Sequence, residues 1–210
     1  MIMDGNQRWA KINNVSLKDG YLKGLEKIKE IVNFCLDQNL SHLTIYALSS
    51  ENVKRPSITT IFDILISEYE NFLKDFDLKN EVKIKIIGEK ENLPSKIINI
   101  LNDLEKKTEK NKKITLNIAF NYGTDKELLS IINKIINNFD YRNNHIDNQL
   151  INKYTYLSDT PDPELLIRTG GFQRLSNFLL LKLSYTELFF TKTLWPDLDK
   201  KELLNIFDKF

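Results

Sequence analysis

The sequence predicts a single α/β domain over residues 1–210, built on a mostly parallel sheet flanked by helices. Two observations carry this. Strand-patterned and helix-patterned segments alternate along the chain, the order that crossover connections impose on a parallel sheet. No internal repeat, linker or low-complexity stretch interrupts the 210 residues, a length that one generous domain accommodates.

The elements follow in order. Residues 20–38 place Tyr21, Leu25, Ile28, Val32 and Cys35 on one stripe, which predicts a helix. His42 to Leu48 (HLTIYAL) is a buried strand. Residues 57–76 are helical, with Ile58, Ile61, Phe62, Leu65, Tyr69, Phe72 and Leu73 facing inward. Val82 to Ile87 (VKIKII) is a strand ended by Gly88. Pro94 suits the first turn of a helix that runs to about residue 110. Ile114 to Phe120 is a strand, 124–139 a helix and 140–148 a polar loop. Leu165 to Arg168 and Leu188 to Thr191 are short strands, and 199–209 is a closing helix. In such sheets ligands bind beyond the carboxyl ends of the strands.

Composition narrows the function. Lys plus Arg is 30 and Asp plus Glu is 29, a net charge of +1. A protein built to coat nucleic acid carries a basic excess instead. The lone Cys35 excludes an intrachain disulfide and a cysteine-rich zinc site. No apolar run approaches the roughly 20 residues that span a bilayer, and the N-terminus lacks a signal-peptide pattern. The expected location is cytoplasmic. Phosphate-loop, dinucleotide, serine-hydrolase and zinc-protease motifs are all absent.

Lysine is the default cation here, with 25 lysines against five arginines, Arg8, Arg55, Arg142, Arg168 and Arg174. Four of the five fall in three short segments. Asp4-Gly5-Asn6-Gln7-Arg8-Trp9 offers a hard carboxylate suited to Mg²⁺ and a fork for phosphate oxygens; it also fits an Asx turn with a surface arginine. Ser49-Ser50-Glu51-Asn52-Val53-Lys54-Arg55-Pro56 follows a strand and precedes a helix, as a crevice lining or a capped loop would. Arg168-Thr169-Gly170-Gly171, followed by Arg174-Leu175-Ser176, sets two forks about a Gly-Gly turn able to close on one anion. Four guanidiniums around one crevice suit a polyanion, because arginine makes bidentate phosphate bonds that lysine cannot copy. His42 reads as structural, His145 and the lysines at 106–113 as solvated, and Cys35 as a small core hydrophobe.

Four stretches together resemble the cis-prenyltransferase family, whose bacterial type is undecaprenyl diphosphate synthase. They are MDGNQRWA at 3–10, TIYALSSENVKRP at 44–56, NIAFNYGTDKELL at 117–129 and DPELLIRTGGFQRLSNFLLLKLSYTELFFTKTLWPDL at 162–198. The resemblance implies Mg²⁺-dependent condensation of isopentenyl diphosphate onto an allylic diphosphate such as farnesyl diphosphate. The product would be a long cis-polyprenyl diphosphate, in bacteria the undecaprenyl lipid carrier for wall glycans. It further implies a hydrophobic tunnel, a homodimer and transient membrane contact for product release. Residues 57–76 and 93–110 could line the tunnel or serve as ordinary core.

By the same resemblance, Asp4 is the catalytic carboxylate and a metal ligand, with Glu187 completing the metal site, in one version from a neighbouring subunit. Gly5, Asn6, Gln7 and Arg8 cradle the allylic diphosphate, with Trp9 and Tyr21 beside them. Ser49, Ser50 and Glu51 line the substrate site, Arg55 contacts the allylic region, and Asn52 assists proton removal. Arg168, Arg174, Leu175 and Ser176 hold isopentenyl diphosphate. The sequence departs from the family where Arg is usual (Leu17), His (Tyr21), Trp (Val53) and Glu (Thr59 and Phe172), leaving Lys18 as the cation nearest the first two. The strand leading to Asp4 is almost absent, which predicts weakened pairing at the centre of the sheet. A second reading draws on these departures: a catalytically weak subunit that binds and stabilises an active partner. The intact Asp4 cradle and the Arg168/Arg174 pair speak for a working site.

Overall fold

The computed structural model describes residues 1–77, 81–140 and 144–210. Residues 141–143 of the 140–148 stretch, Arg142 among them, lie outside these. The elements are α1 (Asn6–Ile12), α2 (Leu17–Asp37), β1 (His42–Ser49), α3 (Ile58–Asp77), β2 (Val82–Ile87), α4 (Ser95–Thr108), β3 (Ile114–Tyr122), α5 (Thr124–Asn138), α6 (Asn148–Tyr154), β4 (Leu165–Arg168), β5 (Glu187–Phe190) and α7 (Lys200–Phe207). Short 3-10 turns cover Asn52–Lys54 and Trp195–Asp197.

Every element the sequence predicts is present, with ends within three residues of those expected. The helix expected from residue 20 begins at Leu17, because Ser16 and Asp19 form a capping box: Asp19 N–H donates to Ser16 Oγ at 3.1 Å and Ser16 N–H to Asp19 Oδ2 at 3.2 Å. Two helices are additional, α1 and α6, each of seven residues. Two turns are too few for a hydrophobic period to stand out. The local signal for α6 is its cap, where Asp147 Oδ1 accepts from Leu150 N–H at 2.8 Å.

β1, β2 and β3 form a parallel sheet in the order β1–β3–β2, and β4 pairs in parallel with β5. Ile2 joins the two parts. It bridges Tyr46 of β1 on one side and Arg168 of β4 on the other, both in parallel. Tyr46 N–H donates to Met1 O at 2.9 Å, Ile2 N–H to Ile167 O at 2.9 Å and Thr169 N–H to Ile2 O at 3.2 Å. The first strand is thus as short as expected, an isolated bridge on each side of Ile2, yet the central pairing is kept. Ile2 closes the seam, giving the order β2–β3–β1–Ile2–β4–β5.

Alternation along the strands sorts side chains onto two faces. Ile114, Leu116, Ile118 and Phe120 of β3 enter the main core with Ile31 and Val32 of α2, Phe72 of α3, and Ile97 and Leu101 of α4. Ala119 and Tyr122 enter a second cluster with Ile2, Tyr46, Leu166, Phe178 and Leu179. The parallel register aligns the carboxyl ends, so the Ile2 strand delivers Asp4, β1 delivers Ser49 and β4 delivers Arg168 to one edge of the sheet.

Candidate active site

A polar cleft of about 620 Å³ opens at that edge. It is lined by Asp4, Gly5, Asn6, Gln7, Arg8, Tyr21, Ser49, Glu51, Asn52, Arg55, Arg168, Arg174 and Ser176, among others. The three arginine-bearing segments thus meet, and four guanidiniums face two carboxylates across one cleft. Such a surplus of positive charge favours a polyanionic ligand.

Asp4 sits at the centre. Its Oδ1 accepts from Arg8 Nη2 at 3.0 Å and its Oδ2 from Arg168 Nη2 at 2.9 Å. Thr169 locks the backbone beneath, accepting from Asp4 N–H at 3.0 Å and donating to Asp4 O at 2.8 Å. Arg168 is buried, only 3% exposed. Its Nη1 donates to Ser176 Oγ at 2.8 Å and to the Arg174 carbonyl. That guanidinium is a brace joining Asp4 to the 174–176 loop. Arg8 is more open and anchors its other arm on Gly170 O at 2.7 Å.

Gly170 permits this approach. Its φ is +83°, and a Cβ there would lie 2.4 Å from Arg8 Nη2 and 2.9 Å from Asp4 O. Gly170→Ala is therefore expected to displace Arg8 and cost about 1–3 kcal/mol in folding stability, read as a lower urea midpoint together with lost activity. The departure at Phe172 also has a consequence here. Its half-exposed ring has Arg8 Cζ 5.0 Å and Arg174 Cζ 4.7 Å from its centroid. One aromatic ring thus holds two guanidiniums in place without neutralising either.

The 176–179 loop is strained, with left-handed φ at Ser176 (51°), Asn177 (63°) and Leu179 (51°). Thr124 Oγ1 donates to Asn177 O at 3.0 Å and accepts from Leu180 N–H at 3.0 Å, and Asn177 Nδ2 donates to Asp125 Oδ1 at 2.7 Å. Tyr46 Oη donates to Tyr122 O at 3.1 Å and Ser176 O at 3.3 Å, while its ring stacks on Phe178 at 4.5 Å. Burial pushes the Tyr46 hydroxyl well above the usual tyrosine range, so it stays protonated as a donor. Tyr46, Thr124 and Thr169 are site-building residues that the sequence reading missed. Tyr46 lies within β1, Thr169 just after β4 and Thr124 at the start of α5, and only the tertiary contacts reveal their partners.

Four expected site residues stand outside the cleft lining. Trp9 turns away and donates from Nε1 to Asp197 Oδ1 at 2.6 Å, latching α1 to the 195–197 turn. Ser50 is buried, and its N–H donates to Tyr122 O at 2.8 Å. Leu175 packs on the Tyr46–Phe178 cluster. Glu187 opens β5 opposite Leu165, whereas Arg168 pairs with Phe190. It therefore lies about 10 Å along the strand from the end of the sheet that carries Asp4, on an exposed edge.

The donor set fits a magnesium ion of one kind. Among the described residues no three His, Cys, Asp or Glu side chains cluster as a metal cage. Asp4 uses two of its roughly four lone-pair sites on arginines and faces a polar cleft. One carboxylate completed by substrate phosphate oxygens is a common way of holding Mg²⁺.

Behind the cleft lies an apolar cavity of about 150 Å³ between α2, α3 and the sheet. Met3, Asn6, Tyr21, Ala47 and Ile61 line both spaces, so the polar cleft leads directly into the apolar one. Tyr21 accepts from Gln7 Nε2 at 3.0 Å at this junction. α1 and α2 can meet closely there because Gly20 and Gly24 carry no side chain. A Cβ on Gly20 would lie 2.7 Å from Ala10 Cβ, and one on Gly24 2.1 Å from Asn6 Oδ1. Among the described residues no helix is long and apolar enough to cross a membrane.

Comparison with known proteins agrees with this geometry. The undecaprenyl diphosphate synthase family matches residues 2–210. An isoprenyl transferase of Fusobacterium nucleatum is 40% identical over 205 residues, covering 97% of this chain and 87% of the relative. One from Aquifex aeolicus is 34% identical, covering 100% and 90%. The crystal structure of lavandulyl diphosphate synthase from Lavandula x intermedia, in complex with dimethylallyl diphosphate, superposes with a TM-score of 0.89 at 30% identity. It covers 99% of this chain and 92% of that one. A probable undecaprenyl diphosphate synthase from Campylobacter jejuni gives 0.79 at 30% identity, covering 89% and 88%.

Proposed function

Since the chain belongs to the undecaprenyl diphosphate synthase family of cis-prenyltransferases, we propose that it is a Mg²⁺-dependent synthase condensing isopentenyl diphosphate onto an allylic diphosphate, farnesyl diphosphate for preference. The product is a long cis-polyprenyl diphosphate of undecaprenyl type, a lipid carrier for wall glycans. The observation that carries this reading is the continuity of an arginine-lined cleft with an apolar cavity. A diphosphate with a hydrocarbon tail needs both, in that order.

In the reaction the allylic carbon–oxygen bond breaks and diphosphate leaves. A carbon–carbon bond forms to the isopentenyl unit, which loses a proton to set the new cis double bond. Arg8 and the Gly5–Gln7 backbone orient the allylic diphosphate, and the exposed Arg55 adds a further charge on the cleft lining. Arg174 and Ser176 hold the isopentenyl diphosphate, positioned by Arg168. Asn52 assists proton removal. Asp4, together with substrate oxygens, would hold magnesium, which would supply charge stabilisation to the departing diphosphate. The protein's own donors are set before reaction, so their stabilisation costs no reorganisation.

Glu187 joins the metal site from a second copy of the chain, in a homodimer. Support comes from its exposed place on the edge strand and from the exposed Leu129, Ile132 and Ile136 of α5, a helical stripe without a described cover. The enzyme works in the cytoplasm and meets the membrane transiently to release its product.

The test is incorporation of labelled isopentenyl diphosphate into farnesyl diphosphate, with Mg²⁺ or with EDTA, followed by product sizing. Metal-dependent long products are expected. A folded, dimeric protein that incorporates nothing would overturn the reading in favour of a partner-stabilising subunit. Arg174→Ala is expected to raise KM for isopentenyl diphosphate about 10–100-fold, the worth of one or two charged hydrogen bonds. KM for the allylic substrate should move far less.

A further inference from the structure

α3 turns Ile61, Ile64, Leu65, Glu68, Tyr69 and Phe72 toward the apolar cavity. The spacing i, i+3, i+4, i+7, i+8, i+11 is that of one helical face. Five of these six side chains are aliphatic or aromatic; the sixth is a carboxylate. A charge on a core-facing stripe does not help a helix fold, so its presence calls for another reason.

Glu68 is half-buried. Its Oε2 accepts from Asn71 Nδ2 at 3.0 Å and its Oε1 from Ser67 Oγ at 3.4 Å. It also lines a second, polar space of about 450 Å³ between α2 and α3, shared with Glu26, Lys29 and Lys74. Leu25 and Glu68 are common to both spaces. Two helical turns from Ile61, one turn short of Phe72, the wall of the apolar cavity therefore carries a charge and opens on a polar vestibule.

The cavity's volume matters too. About 150 Å³ holds a group the size of benzene, far less than a long polyprenyl tail. A growing chain has to part α2 from α3, and the seam leads past Glu68. We infer that Glu68 limits product length in this protein, an inference that rests on the synthase reading above. A hydrocarbon tip pressed against the carboxylate strips its hydration. A tip pushed into the vestibule stays in water and gains nothing from burial. Either way, a unit that reaches Glu68 loses part of the driving force that drew in the earlier ones.

Two measurements test this. Products made from farnesyl diphosphate and excess isopentenyl diphosphate are sized for the wild type, Glu68→Leu and Glu68→Gln. Glu68→Leu is expected to lengthen the main product by about one isoprene unit or more, the reach of the helical turn of about 5.4 Å from Glu68 to Phe72. Glu68→Gln, uncharged but still polar, should give part of that shift. Separately, binding of saturated, unreactive prenyl diphosphates of graded length is followed by calorimetry. In the wild type, affinity should rise roughly tenfold or more per unit and then level off. In Glu68→Leu it should go on rising for at least one further unit. Unchanged product sizes in both variants, or an unchanged plateau in the binding series, would overturn the inference. Glu68→Gln, which can still accept from Asn71, carries the test by itself if the leucine variant does not fold. Absence of wild-type turnover beside a normal binding plateau would count against the synthase reading while the plateau still decides the role of Glu68.

Discussion

Replacing Asp4 by asparagine is expected to leave a folded protein whose kcat has fallen by about 10³-fold or more, roughly 4 kcal/mol of lost transition-state stabilisation. The structure explains why asparagine is the informative variant. The Asp4 carboxylate sits between two guanidiniums, at 3.0 Å from Arg8 and 2.9 Å from Arg168. Asparagine keeps one acceptor for the buried Arg168, and the more open Arg8 can turn away from the new amide N–H₂. The negative charge that would hold Mg²⁺ is gone. Alanine removes both acceptors and leaves the buried Arg168 charge without its counterion, at a cost of about 3 kcal/mol. Urea denaturation beside steady-state kinetics separates the two effects. An asparagine variant as folded and as active as the wild type would remove Asp4 from the chemistry.

Arg168→Lys is expected to cost nearly as much in stability as a deletion, about 2–4 kcal/mol, and to lower kcat/KM by at least roughly 10²-fold. Arg168 spans Asp4, Ser176 and the Arg174 carbonyl with one planar fork while only 3% exposed. A lysine ammonium is a point on a flexible stem and cannot reach all three. Its failure would release the 176–179 loop, whose left-handed backbone is held by its neighbours. KM for isopentenyl diphosphate should therefore rise together with the loss of stability. An Arg168→Lys enzyme with wild-type midpoint and KM would show that charge alone is enough there.

The arginine distribution explains why so much of the site was legible in sequence. In a chain where lysine is the default cation, arginines cluster only where a fork is needed, and Arg8, Arg55, Arg168 and Arg174 all line one cleft. The strand–helix alternation puts the segments that carry them at or just beyond the carboxyl ends of strands. Other features carry no local signal. Trp9 sits inside the matching motif, yet it latches onto Asp197, 188 residues away in the chain. Ser50 and Leu175 are one residue away from cleft-lining neighbours and face the interior. Glu68 gives no signal of its own, because a single charge barely alters the pattern of an otherwise apolar helix.

The class of fold, the order of its elements and the three segments that carry the arginines are all legible in the amino-acid sequence. Hydrophobic period, turn chemistry and residue identity are local properties, and they act before the chain is folded. Folding in three dimensions settles the rest: Ile2 closes the sheet between Tyr46 and Arg168, Asp4 lies between two guanidiniums, and Glu68 stands where the apolar cavity meets the polar vestibule. These follow from contacts between residues far apart in the chain, where register and packing, not local preference, set which atoms meet.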